Sequence, residues 1–68
     1  MSVIGWVVRT KNPYGEEQVW RVGETNKDAA EEMAKKAARV RSARALQAIN
    51  IDTVLDKPLK PGDVVLWL

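Results

Sequence analysis

The stretch KKAARVRSAR, residues 35–44, carries five basic side chains in ten positions and no acid. Its cations are Lys35, Lys36, Arg39, Arg41 and Arg44. The chemistry open to such a set is contact with a polyanion. A lysine ammonium meets a phosphate as a point charge, whereas a guanidinium offers a planar fork that takes two oxygens at once. The backbone of DNA or RNA is therefore the first partner class to weigh, and an acidic protein the second.

A rival explanation needs no partner. Cations at the end of a helix complement the negative end of its dipole, and acids one turn earlier pair with them. Glu31 with Lys35 and Glu32 with Lys36 have the i,i+4 spacing and the favourable order. That accounts for the two lysines. Arg39, Arg41 and Arg44 are followed by no acid until Asp52, and three arginines in six residues exceed what a helix end needs. The net charge is only +2, but it is unevenly spread. Residues 1–34 hold four Lys/Arg and six Asp/Glu, a net of −2; residues 35–68 hold seven and three, a net of +4.

Catalytic chemistry finds little support. The chain has no histidine and no cysteine, so the commonest general base and the strongest nucleophile are both missing. Its serines are Ser2, near the start, and Ser42, amid the cations. The four glycines stand apart at 5, 15, 23 and 62 and form no phosphate-binding loop. An acid pair or oxygen-ligand metal site from Asp52 and Asp56 can be written, yet turn chemistry explains both residues. The expectation is a non-catalytic protein without metal or organic cofactor.

The aromatic residues divide by position. Tyr14 falls at the tip of a turn and is the candidate exposed contact for any partner. Trp6 and Trp20 share an apolar strand face and are expected in the core rather than stacked on bases. Trp67 is expected either beneath a helix or in a seam between two copies of the chain.

Sixty-eight residues suffice for one small domain with a thin stability margin. An apolar share of 46% with 29% charged residues fits a globular fold. The opening MSVIGWVVRT has no basic residue before its apolar run and no cleavage pattern after it, so it reads as a strand rather than a signal peptide. No apolar run approaches the ~20 residues of a membrane span. The expected address is cytoplasmic, with no membrane partner.

Strands are expected at about 3–10, 16–23, 44–50 and 63–68, and a helix at about 27–41. KNPYG turns the first two strands into a hairpin. A register symmetric about Pro13 sets Trp6 opposite Trp20, Ile4 opposite Val22 and Val8 opposite Gln18; a bulge in the turn would shift it. The other face then holds Val7 with Val19 and an Arg9–Glu17 ion pair. Thr25 or Asn26 caps the helix, with Asp28, Glu31 and Glu32 near its positive end. At ~100° per residue, Ala29, Ala30, Met33, Ala34, Ala37 and Val40 form an arc about 140° wide. Arg41 and Arg44 fall inside the same arc, so a regular helix is expected to stop near residue 41 unless those arginines line an interface. ARALQAINI reads as the third strand, although residues 46–49 could instead extend a helical turn. KPGD centres a type II turn, and VVLWL reads as a last strand covered on both faces, by the helix or by another copy.

These readings give an α+β fold: one domain of ββαββ order, a mainly antiparallel sheet, and one amphipathic helix packed on one face. Over residues 3–40 a hairpin feeding an alanine-rich helix resembles, in architecture, the small sheet-plus-helix DNA-binding modules of recombinases. No residue role carries over from that resemblance. The expected function is binding of nucleic-acid phosphates by the basic helix end and the turn after it. The alternative is a protein-interaction or homodimeric module using an apolar sheet face or the last strand.

Overall fold

The hairpin turn sets the register of the first two strands. In the structure, a computed structural model describing residues 2–52 and 58–67, the Asn12 amide donates to the Glu16 carbonyl at 2.9 Å and the Gly15 amide to the Asn12 carbonyl at 3.0 Å. Asn12 Oδ1 accepts from the Tyr14 and Glu16 amides, each at 2.9 Å. Gly15 has φ 86°, a conformation that a side chain would strain. The loop is thus Pro13 to Gly15, a turn closed by a left-handed glycine, and its centre is Tyr14. β1 (Val3–Lys11) and β2 (Glu17–Val22) pair with Trp6 opposite Val22 and Val8 opposite Trp20. The register symmetric about Pro13 is therefore two residues out. Two is an even slip, so every side chain keeps its expected face.

The helix α1 (Lys27–Ala38) starts where Asn26 Oδ1 accepts from the Ala29 amide at 3.0 Å, while the Glu24 carboxylate accepts from the Asn26 amide at 2.9 Å. Asn26, not Thr25, is the cap. The helix ends earlier than the expected residue 41. Arg39 adopts the left-handed conformation, φ 58° and ψ 44°. Its amide donates to the Lys36 carbonyl at 3.3 Å, and the Val40 amide to the Lys35 carbonyl at 3.1 Å. These two bonds form a Schellman motif, which stops a helix by satisfying its last carbonyls. Ala30 and Ala34 are fully buried, with Met33 packed against them. Ala37, expected in the buried stripe, is exposed.

After this early stop, β3 (Ser42–Asn50) begins two residues before the expected position 44. Residues 46–49 are strand and not a helical extension. Arg41 and Arg44 lie beyond the helix, so the clash they would have made with its apolar stripe never arises. β4 (Val64–Leu66) completes one antiparallel sheet of order β3-β1-β2-β4, an α+β domain with α1 on one face. The core between helix and sheet is Val8, Val22, Ala30 and Ala34, flanked by Trp6, Trp20, Ala43, Ala45 and Val64. Both core indoles find acceptors: Trp20 Nε1 donates to Thr10 Oγ1 and Trp6 Nε1 to the Thr25 carbonyl, each at 2.9 Å.

β4 departs from the sequence reading. It is a three-residue edge strand, and Val65, Leu66 and Trp67 are 44%, 51% and 48% exposed. The helix crosses β1 and β3 more than β4, so among the described residues it leaves these side chains half exposed. The turn before it is as expected: the Asp63 amide donates to the Lys60 carbonyl at 3.0 Å, with Gly62 at φ 86°. Residues 53–57, which include Asp56, lie outside the described residues. At two points the backbone passes close to its neighbours. A Cβ on Gly23 would meet the Lys60 carbonyl, and one on Gly5 would meet the Val22 carbonyl and the Leu59 side chain.

Candidate nucleic-acid interface

The early end of α1 redistributes the five expected cations. Lys35 and Lys36 occupy the last helical turn, Arg39 the left-handed position, Arg41 the link, and Arg44 the interior of β3. Lys35 pairs with Glu32 at 3.1 Å, an i,i+3 contact, in place of the expected Glu31–Lys35 and Glu32–Lys36 pairs. Glu31 turns inward instead: its carboxylate accepts from the Ala45 amide at 2.7 Å and ties the helix to β3. The acid expected to neutralise Lys35 is therefore spent on the fold. Among the described residues Lys36, Arg39, Arg41 and Arg44 make no salt bridge.

Where α1 hands over to β3, the chain meets the base of the hairpin. A shallow groove of about 340 Å³ opens there, lined by Lys11, Asn12, Pro13, Arg39, Val40, Arg41 and Ser42. Three of its walls are cationic and none is acidic. A second groove of about 360 Å³ shares Val40 and Arg41 and adds Glu32, Lys35 and Lys36. The structure thus brings Lys35, Lys36, Arg39 and Arg41 onto one end of the molecule and recruits Lys11 to them. Arg44 stands apart, directly opposite Arg9 across β1 and β3.

Lys11 was missed because it reads as an ordinary strand residue. Nothing in the sequence says that the hairpin base returns to the helix end. Tyr14 is 89% exposed at the loop tip and lines neither groove. Trp67 lies beneath the Arg21 guanidinium, 4.4 Å from its ring centroid, and not beneath the helix. Asp52 is exposed, and among the described residues no three His, Cys, Asp or Glu side chains gather as a metal cluster would require. Among the same residues no helix is long and apolar enough to cross a membrane. No family model, no curated protein and no solved structure matches the chain.

Proposed function

We propose that this protein is a small non-catalytic module that binds nucleic-acid phosphates at the junction of α1, β3 and the hairpin base. The observation that carries the reading is the groove bounded by Lys11, Arg39 and Arg41 with no acid in its walls. Arg39 adds weight. A left-handed helix terminus favours glycine, and an arginine there costs about 1 kcal/mol. Such strain is retained where the side chain has other work.

The test is fluorescence anisotropy of labelled single- and double-stranded oligonucleotides across a salt series. Three groove cations on duplex phosphates give a slope of log K against log[salt] near ~−2.7, and five, with Lys35 and Lys36, near ~−4.5. Arg39→Glu with Arg41→Glu should abolish binding and leave the circular dichroism unchanged. Absence of binding at low salt returns the cations to the helix end.

A homodimeric or adaptor role has one supporting observation of its own, the exposed edge strand β4 with Val65, Leu66 and Trp67. Unpaired strand edges invite pairing with another chain. Light scattering that gives a dimer mass persisting in high salt would favour that role.

A further inference from the structure

The sheet face away from α1 carries its own ordered set of cations. Strand pairing arranges it in rows: Ser42, Lys11 and Glu17; then Arg44, Arg9 and Val19; then Gln47, Val7, Arg21 and Val65. Trp67 lies at the end of the Arg44, Arg9 and Val19 row, its amide donating to the Val19 carbonyl at 2.7 Å and its ring lying under Arg21 of the next row. Four cations, Arg9, Lys11, Arg21 and Arg44, thus share the face with Glu17, which bonds Arg9 at 3.3 Å.

Arg44 and Arg9 are directly opposed. Like charges in that position repel, and Arg44 meets no acid among the described residues. An anion between the two guanidinium groups would turn the repulsion into attraction. Lys11 lies two residues along from Arg9, ~7 Å away, and it also walls the groove of Arg39 and Arg41. The cations therefore run from that groove, over Lys11, to the Arg9–Arg44 pair and Arg21, with Glu17 beside Lys11 and bonded to Arg9, and they end at a half-exposed indole.

We propose that this track is the path of a single-stranded nucleic acid, with phosphates on Lys11, Arg9 and Arg44 and a base stacked on the exposed part of Trp67. The proposal rests on the reading of the groove as a phosphate site; it names the class of nucleic acid and the remainder of its path. Two physical reasons select a single strand. The track turns from the end of the molecule onto the flat sheet, and a duplex is stiff over lengths far greater than this domain. An unpaired base also presents a ring face to an indole, whereas a base inside a duplex is already stacked.

The experiment measures anisotropy of labelled oligo(dT) of about 15 nucleotides, within the length that a small single-strand binder covers, against a duplex of equal length. Oligo(dT) is expected to bind at least ~10-fold more tightly than the duplex. Arg9→Gln with Arg44→Gln should reduce the salt slope by about 1.4, two cations at ~0.7 each for a single strand. Trp67→Leu should weaken binding roughly five- to 150-fold without changing the slope, and Trp67→Phe should restore most of the loss. All variants are compared by thermal melting, so that loss of β4 is separated from loss of stacking.

Each contrary result has its own meaning. If Arg9→Gln with Arg44→Gln binds as the parent does while Arg39→Glu with Arg41→Glu does not bind, the groove stands and the track is wrong. Preference for the duplex also overturns the track. A dimer that these sheet-face changes dissociate makes the face a seam between copies. If the parent chain binds neither probe at low salt, the phosphate reading falls and the track with it.

Discussion

Beneath α1, Val8 and Val22 are closed to solvent and Trp20 hydrogen-bonds Thr10. One residue along the same strands, Val7, Arg9, Lys11 and Arg21 share with Trp67 the face turned away from α1. Alternation along β1 and β2 builds both surfaces, so a one-residue slip of the register would exchange them. The covered face is selected for packing of small and β-branched groups around two indoles. The open face keeps long cationic side chains and one aromatic ring. A small domain with this little buried volume has no surplus with which to leave a face apolar and unused. The open face is accordingly mostly polar, with valines lying between arginines.

The contrast can be broken in three ways, in order of size. Val8→Asp puts an unpaired charge at a position with 0% exposure, and urea denaturation should show the domain unfolded in water. Val7→Asp, its neighbour on the open face, should cost less than about 1 kcal/mol. Equal damage from the two would mean that both faces are core. Next, Glu31→Ala removes the carboxylate that holds the Ala45 amide. A loss of about 2 kcal/mol is expected, because a part-buried donor is left without its charged acceptor. No change on denaturation would show that the helix is held to β3 by packing alone.

The smallest effect has the opposite sign. Arg39→Gly relieves the left-handed strain and should raise stability by up to about 1 kcal/mol while weakening oligonucleotide binding. A variant that is more stable and binds as before would leave the strain without a functional reason.

The sequence made the order of elements, the face of each residue in the hairpin and a cap at Thr25 or Asn26 readable, since alternation, turn residues and capping chemistry are local. The register was not readable, because KNPYG does not say which of its residues is the centre; the hydrogen bonds to Asn12 put it at Tyr14 and not at Pro13. The helix end was misplaced for a related reason. Left-handed Arg39 breaks the rule that glycine marks that position, so the periodic pattern seemed to continue to residue 41. The expected site held together in part: Lys35, Lys36, Arg39 and Arg41 cluster, Arg44 departs to the open face, and Lys11 joins from a strand 28 positions before Arg39. Glu31 could pair with Lys35 by spacing, but the bond it makes is to a residue 14 positions away. Contacts of that range leave no periodic trace.

The close passage of backbone at Gly5 and Gly23 bears on how this sequence can drift over descent. Charged positions on the open face can exchange lysine for arginine, or move by two residues, and still present cations on that side. At Gly23 even a methyl group meets the Lys60 carbonyl, and at Gly5 it meets the Val22 carbonyl. Distant descendants of this chain would therefore be recognised first by these two invariant glycines and the Pro-Gly turn that packs near them, with the basic residues wandering around that fixed frame.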